Sequence, residues 1–334
     1  MSKILTIGEP LVRLSTSKDK LLRNSSKLDI AIGGAEYNVA WNLGNLGHDV
    51  AFATRIPNNS LGKMVISNLN SVQVATDQII LDEEGRIGAY YLELGNGLRS
   101  SNVIYDRKHT ALSTISDFPW EFDTLFQGVS HFHITGITLS ISEFWKRNGP
   151  LLLKEAKKRN IYVSFDMNYR ESMWKVEEAK KVYQTIMEYV DALSASYLDA
   201  KYFFDIKLEN SATKIDFIKE MGVKFPNLSY IYGTDRKILT PNSYEIQGFL
   251  YNVKSRNVSL SKTYTIDSII DRVGSGDSFA SGILDGILNG ENDSSMVDFA
   301  IASSVLKHSI LGDINPFNRE EILEITKNKT SIVR

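Results

Sequence analysis

Short apolar runs alternate with amphipathic segments over most of the chain after residue 110. The apolar runs have the length of buried strands, and apolar residues at helical spacing predict helices between them. The predicted strands are at 129–134, 161–165, 191–195 and 228–232, and the predicted helices at 141–159, 175–190, 197–205 and 211–222. Strands separated by single helices indicate parallel βαβ crossovers and a sheet covered on both faces. We therefore predict an α/β fold that binds ligands beyond the carboxyl ends of its strands.

The first third of the chain has a different pattern. Residues 11–32 are mixed and polar and predict short strands outside the main core, and residues 86–108 predict a hairpin around the turn Asn96-Gly97. We expect these two segments to form a small β-layer inserted into one domain that spans residues 1–334. The alternative is a hairpin without a functional role.

Two glycine-rich turns each precede a predicted helix. Gly33-Gly34 precedes the helix that carries Asn38, and the glycine turn Gly274-Ser275-Gly276 precedes Asp277. Glycines leave room for an anion, and the first amides of a helix carry partial positive charge. A carboxylate among those amides suits the deprotonation of a hydroxyl while negative charge builds on a phosphoryl group. The alternatives are that Asp277 only caps its helix and that the first turn is only a flexible helix start.

A polar cluster follows the strand predicted at 161–165. In extended backbone the side chains of Asp166, Asn168 and Arg170 point to one side, at the sheet edge where α/β folds bind ligands. The alternative is a polar strand end with an internal pair between Asp166 and Arg170.

Composition excludes several classes of function. The chain is 43% hydrophobic and 23% charged, and its net charge of -2 gives no reason to expect nucleic-acid binding. It contains no cysteine, which excludes disulfides and thiolate chemistry. His131 and His133 alternate on a predicted strand without a third ligand nearby, so no metal site is assigned to them. Neither a signal-peptide core nor an apolar run of about 18 residues is present, so we expect a soluble cytoplasmic protein that does not bind membranes.

The segment from Asp271 to Gly282 resembles the C-terminal signature of ribokinase-like, pfkB-type sugar kinases, and the segment from Gly33 to Gly47 resembles their N-terminal signature. The resemblance implies a three-layer α/β/α core with a mostly parallel sheet, and a β-sheet lid that closes over the sugar and builds a homo-oligomer. It also implies ATP and Mg²⁺ as cofactors and Asp277 as the catalytic base, with the glycine turn as the anion hole. The residues that it assigns to the nucleotide are Asn168, Ser196, Gly233 in a loop after strand 228–232, Gly274, Ser275 and Gly276.

Within this family, the chain most resembles the 2-keto-3-deoxygluconate kinases. The residues that the resemblance assigns to the sugar acid are Gly34, Asn38, Tyr90, Tyr105, Arg107, Asn168, Arg170 and Asp277. A sugar acid carries a carboxylate, which is costly to desolvate unless charge-assisted donors meet it. The implied reaction is ATP-dependent phosphorylation of the 6-hydroxyl, giving 2-keto-3-deoxy-6-phosphogluconate. The alternatives are a fructokinase- or ribokinase-like enzyme for a neutral sugar and a non-catalytic sugar-binding relative, and Arg107 is alternatively a solvated lid residue.

Overall fold

The structure is a computed structural model, and it describes residues 2–240 and 243–327. The strands are β1 (Lys3–Ile7), β2 (Leu11–Ser15), β3 (Asp29–Gly33), β4 (Asp49–Pro57), β5 (Ile79–Asp82), β6 (Gly88–Glu93), β7 (Asn102–Asp106), β8 (Val129–Thr135), β9 (Tyr162–Asp166), β10 (Ala192–Ser194), β11 (Tyr230–Thr240), β12 (Ser243–Asn252), β13 (Asn257–Leu260) and β14 (Tyr264–Ile266). The helices are α1 (Ala35–Asn45), α2 (Ser60–Asn70), α3 (Phe122–Leu125), α4 (Gly136–Ser140), α5 (Glu143–Lys158), α6 (Val176–Ile186), α7 (Tyr197–Phe203), α8 (Lys214–Lys224), α9 (Ser275–Asn289), α10 (Asp293–Lys307) and α11 (Arg319–Thr326).

The main sheet is mostly parallel and lies between two layers of helices. Its strand order is β13-β12-β11-β10-β9-β8-β1-β4-β5, with β14 beside β12, and the strands from β11 to β5 in that order pair in parallel. Its interior strand β1 buries Ile4, Leu5 and Ile7 completely. One apolar cluster covers the face packed by α5 to α8, and another covers the face packed by α1, α9 and α10. The predicted three-layer α/β/α fold is confirmed.

The carboxyl-terminal part of β11 differs from the prediction. The strand was predicted to end at residue 232, with Gly233 in a following loop, but it continues to Thr240 and pairs antiparallel with β12. Gly233 lies opposite Phe249, inside the ladder. Residues 235–240 are exposed, so no alternation of buried and exposed positions marked them as a strand.

Strands β2, β3, β6 and β7 form a separate sheet, which we call the small sheet. Its order is β3-β2-β6-β7, in which β2 and β6 pair in parallel and the other pairs are antiparallel. Asn96 and Arg99 exchange backbone hydrogen bonds at 3.0 Å, so Gly97 and Leu98 form the hairpin tip. Only Gly8-Glu9-Pro10 separates β1 from β2, which places the small sheet over the carboxyl edge of the main sheet.

Candidate active site

A cavity of about 950 Å³ lies between the carboxyl edge of the main sheet, the small sheet and the start of α9. It is at the upper end of the volumes found for ligand sites, which leaves room for two substrates. The sequence-predicted residues that line it are Gly34, Asn38, Tyr90, Tyr105, Arg107, Asn168, Arg170, Ser196, Gly233, Gly274, Ser275, Gly276 and Asp277. The fold therefore brings all of the predicted site residues to one place, while their chemical roles stay predictions.

The glycine turn forms the start of α9, with Gly274 as the residue before the helix and Ser275 and Gly276 as its first two residues, and it requires glycine at its first position. Gly274 has a φ of +81°, and a Cβ there would lie 1.8 Å from the carbonyl oxygen of Asp313. A Cβ on Gly276 would meet no atom within 4 Å, and Gly276 borders the cavity. The turn thus packs tightly behind Gly274 and leaves open space beside Gly276, next to the first amides of α9.

Asp277 lies in the first turn of α9, and its Oδ2 accepts a hydrogen bond from Nδ2 of Asn38 at 2.6 Å. The two glycine-rich turns therefore bring together side chains that are 239 residues apart. Asp277 is not a helix cap, because Gly274 holds the cap position and no side chain caps that end of α9. Burial raises the pKa of Asp277 to about 7; the bond from Asn38 opposes the shift, and the carboxylates of Asp166 and Asp313 add to it.

The cluster after β9 meets the cavity through a turn and not through extended backbone. Asn168 has a φ of +35°, and its amide donates to Oδ1 of Asp166 at 3.1 Å. Burial raises the pKa of Asp166 to about 6, against the lowering effect of its hydrogen bonds and of Arg170. Within residues 2–240 and 243–327, the guanidinium of Arg170 has no carboxylate within 4.0 Å, so the internal Asp166–Arg170 pair does not form.

Arg107 is held by a carboxylate that the sequence reasoning missed. Its Nε donates to Oε2 of Glu9 at 2.9 Å, its Nη2 contacts the same oxygen, and its side chain is 14% exposed. Its Nη1 faces the sulfur of Met173 at 3.7 Å, a weak acceptor. Arg107 is therefore not a solvated residue, and Nη1 remains the nitrogen best placed for a ligand oxygen. A signal was present, because Glu9 follows a buried strand after a single glycine, Gly8.

Asp313 was also missed as a site residue. It lines the cavity, and both of its carboxylate oxygens lie 2.6 Å from the hydroxyl of Tyr90. Burial raises the pKa of Asp313 in spite of the nearby guanidinium of Arg13. An acidic residue directly after Gly312, six residues beyond the end of α10, was the available signal.

Comparison with known proteins agrees with this geometry. The model of the pfkB family of carbohydrate kinases matches residues 1–233. The chain belongs to the pfkB family of carbohydrate kinases. A solved pfkB-family carbohydrate kinase from Listeria grayi is 39% identical, with a TM-score of 0.93 over 98% of this chain and 100% of its own. The 2-dehydro-3-deoxygluconokinase structure from Thermotoga maritima is 34% identical, with a TM-score of 0.92 over 98% of both chains.

A curated relative, the 2-dehydro-3-deoxygalactonokinase of Haloferax volcanii, is 26% identical over 98% of this chain and 97% of its own. The chain is therefore an ATP-dependent sugar kinase with a ribokinase-like fold. None of its helices within residues 2–240 and 243–327 has the length and apolar character needed to cross a membrane.

The acidic residues of this kinase fit a magnesium ion bound mainly through a nucleotide. No group of three or more His, Cys, Asp or Glu residues in the part of the chain that the structure describes is arranged to hold a metal ion by itself. Asp166 and Asp199 both border the cavity, and burial is the main cause that raises the pKa of each. One or two carboxylates are the usual protein contribution where Mg²⁺ also binds phosphates and water. Asp199 is in turn fixed by Ser196, whose amide and hydroxyl donate to Oδ2 at 2.7 Å.

Proposed function

We propose that this kinase transfers the γ-phosphoryl group of ATP to the 6-hydroxyl of 2-keto-3-deoxygluconate, giving 2-keto-3-deoxy-6-phosphogluconate. The observation that carries this proposal is the state of two arginines in the cavity. Arg170 has no ion-pair partner among the described residues, and Arg107 turns Nη1 toward a thioether only. Arg170 is exposed toward the cavity and forms no direct ion pair among the described residues, so its guanidinium is available to an anionic ligand, and the substrate carboxylate is the partner that we assign to it.

The neighbouring groups support the same assignment. The rings of Tyr90 and Tyr105 lie 5.8 Å apart, and the guanidinium of Arg107 lies 5.9 Å from the centre of the Tyr105 ring. These side chains supply apolar surface beside a charged group, which suits a sugar acid. The name of the structure from Thermotoga maritima, in which dehydro means keto, supports this substrate class.

In the proposed reaction, the Asp277 carboxylate accepts the proton of the 6-hydroxyl. The hydroxyl oxygen forms a bond to the γ-phosphorus while the bond from that phosphorus to the leaving ADP oxygen breaks. The amides of the glycine turn donate to the phosphoryl oxygens, where negative charge accumulates. Asp166 and Asp199 would hold a magnesium ion together with the nucleotide, and such an ion would neutralise charge on the phosphates. The pKa of Asp277, about 7, keeps an effective base largely deprotonated at slightly alkaline pH.

The second candidate substrate is 2-keto-3-deoxygalactonate. The relative from Haloferax volcanii favours it, since that protein is named for the dehydro-deoxygalactonate substrate. Both acids present a carboxylate to the same two arginines, so they differ only in the hydroxyls that other residues of the cavity contact. A neutral sugar makes no use of the charge of Arg170 in the cavity and is the less favoured alternative.

An ADP-coupled assay with both sugar acids, fructose and ribose tests the proposal. Arg170→Met should reduce kcat/KM for the preferred acid by about ten- to 150-fold, the equivalent of one charge-assisted bond. It should leave the slow reaction with fructose nearly unchanged, and Arg170→Lys should recover part of the loss. Arg147→Met, on α5 and outside the cavity, is the matched control. Equal losses for acid and neutral sugar, or faster turnover of fructose by the wild-type protein, would contradict the sugar-acid assignment.

We further infer that the protein forms a homo-oligomer through the small sheet. Every residue of its edge strand β7 is exposed, including Val103 and Ile104. An exposed apolar edge strand can pair with a second copy of itself. Light scattering on the wild-type protein and on Ile104→Lys measures this, and a monomeric wild-type protein would contradict the inference.

A further inference from the structure

A cluster of four buried charges lies behind the glycine turn. Its members are Arg13 on β2, Asp271 before the turn, Lys307 at the end of α10, and Asp313; all four are at most 3% exposed. Buried ions are costly unless they are paired; Arg13 pairs with both carboxylates, and Lys307 adds a second positive charge near them without a direct ion pair to either. Arg13 itself does not line the cavity, so it has no contact with a ligand there.

Arg13 joins the two carboxylates of this cluster. Its Nη1 donates to Oδ1 of Asp313 at 2.8 Å, and its Nη2 forms an ion pair with Oδ2 of Asp271. Burial opposes its charge, but the two carboxylates outweigh burial and raise the pKa of Arg13, so it stays cationic. Tyr90, directly opposite Arg13 on β6, donates to Asp313 as well. Side chains on two adjacent strands of the small sheet, β2 and β6, therefore both bind the carboxylate of Asp313.

The carboxylate of Asp271 and the backbone of Asp313 also fix the chain around the glycine turn. Oδ1 of Asp271 accepts from the amide of Val273 at 3.0 Å, and Oδ2 accepts from the amide of Gly312 at 3.2 Å. The carbonyl of Asp313 lies where a Cβ of Gly274 would be. A shift of the Asp271 carboxylate or of the Asp313 backbone therefore moves the chain that leads into α9.

We propose that Arg13 is a positioning residue that couples the small sheet to the glycine turn, so that the anion hole takes its productive geometry only when the small sheet lies over the sugar. The inference rests on the sugar-kinase activity and not on the identity of the sugar acid. Such coupling would prevent the transfer of the phosphoryl group of ATP to water before a sugar hydroxyl is bound. Arg13 acts through Asp271 and Asp313. It controls how tightly phosphoryl transfer is coupled to sugar binding.

The test compares two rates in the purified full-length protein, using whichever sugar the wild type phosphorylates fastest. One is sugar-dependent formation of phosphorylated sugar, and the other is ADP release without sugar. Arg13→Lys keeps the charge but cannot bridge two carboxylates. It should lower kcat by about ten- to 100-fold, as expected for misplaced catalytic groups, with little change in KM for the sugar. The fraction of ADP released without sugar phosphorylation should rise several-fold.

A charge-balanced variant separates positioning from stability. Arg13→Met alone leaves Lys307 to balance two carboxylates, whereas Arg13→Met with Asp271→Asn restores the balance but not the bridge. The double variant should regain most of the melting temperature of the wild type and still show the low kcat and the uncoupled ADP release. Arg159→Met, which removes an ion pair with the exposed Asp123 outside the cavity, is the control and should match the wild type.

Two results would overturn the proposal. One is wild-type kcat and coupling in Arg13→Lys, and the other is recovery of kcat together with melting temperature in the double variant, which would make Arg13 a purely structural residue. A different preferred sugar in the screen contradicts the sugar-acid assignment alone and leaves this test intact.

Discussion

Replacing Asp277 with asparagine should make the kinase slower and, at neutral pH and above, more stable. The loss of the proton acceptor should lower kcat by about 10²–10⁴, the usual contribution of a positioned general base. Asparagine is nearly the same size and can still accept the hydrogen bond from Asn38 through its amide oxygen. The binding of ATP should therefore change little, which separates loss of chemistry from loss of substrate.

The gain in stability follows from the pKa of Asp277. Burial raises it from 3.8 to about 7, so the folded protein binds this proton more tightly than the unfolded chain. The free energy of unfolding therefore falls as pH rises from about 4 to 7, and the full cost is present above pH 7. At about 1.4 kcal/mol per pKa unit, that cost is at most about 4 kcal/mol. Asparagine does not ionise, so the variant avoids it.

Thermal unfolding of both proteins between about pH 4 and pH 9 measures this difference. The variant should melt several degrees higher than the wild type at pH 8, and the difference should shrink toward zero near pH 4. Asp216→Asn, at an exposed helix start with a lowered pKa, is the control and should give no gain at any pH. Equal melting curves at pH 8 would mean that burial does not disfavour the charged form of Asp277. A near-normal kcat in a folded variant would exclude Asp277 as the base.

The profile of kcat/KM against pH should rise with an apparent pKa of about 7, because only deprotonated Asp277 accepts the hydroxyl proton; a flat profile between about pH 5 and 8 would contradict this. Gly276→Val should raise KM for ATP with an unchanged melting temperature, since its side chain enters open space beside the turn; unaltered ATP kinetics would mean that phosphates bind elsewhere. Gly274→Ala should lower kcat and should also lower the free energy of unfolding by about 1–3 kcal/mol. The reason is that the added Cβ meets the carbonyl of Asp313. A variant with the same free energy of unfolding as the wild type would contradict that packing.

The parallel core could be predicted because its strands are buried on both faces and appear in the sequence as apolar runs. The β11–β12 hairpin could not, because its exposed half has polar residues with no constraint from a core. The small sheet was predictable from the hairpin turn, yet the tip lies one residue later than the Asn-Gly pair, at Gly97-Leu98. The local pattern of apolar and polar residues therefore predicts those strands and helices whose burial requires apolar residues at fixed positions.

The candidate site was predictable where its residues follow glycine turns or strand ends, because backbone geometry there restricts the sequence locally. Arg13 was not, since its contact with Asp313 spans 300 residues and depends on the final packing of the small sheet. The only local sign of this contact in the sequence was a charged residue within the mostly apolar strand Leu11–Ser15. Glu9 left an equally small trace, because its partner Arg107 lies on a distant hairpin.

The pKa of Asp277 results from opposing contributions, and their balance suits a base better than it suits an anion site. The start of α9, the amide of Asn38 and the guanidinium of Arg170 favour its charged form. Burial, foremost, and the carboxylates of Asp166 and Asp313 oppose it more strongly. A site built only to hold phosphate would have no reason to place three acidic groups near the glycine turn, since each repels the nucleotide. The same carboxylates that make the cavity less favourable for phosphate are the ones that keep Asp277 basic enough to accept a hydroxyl proton.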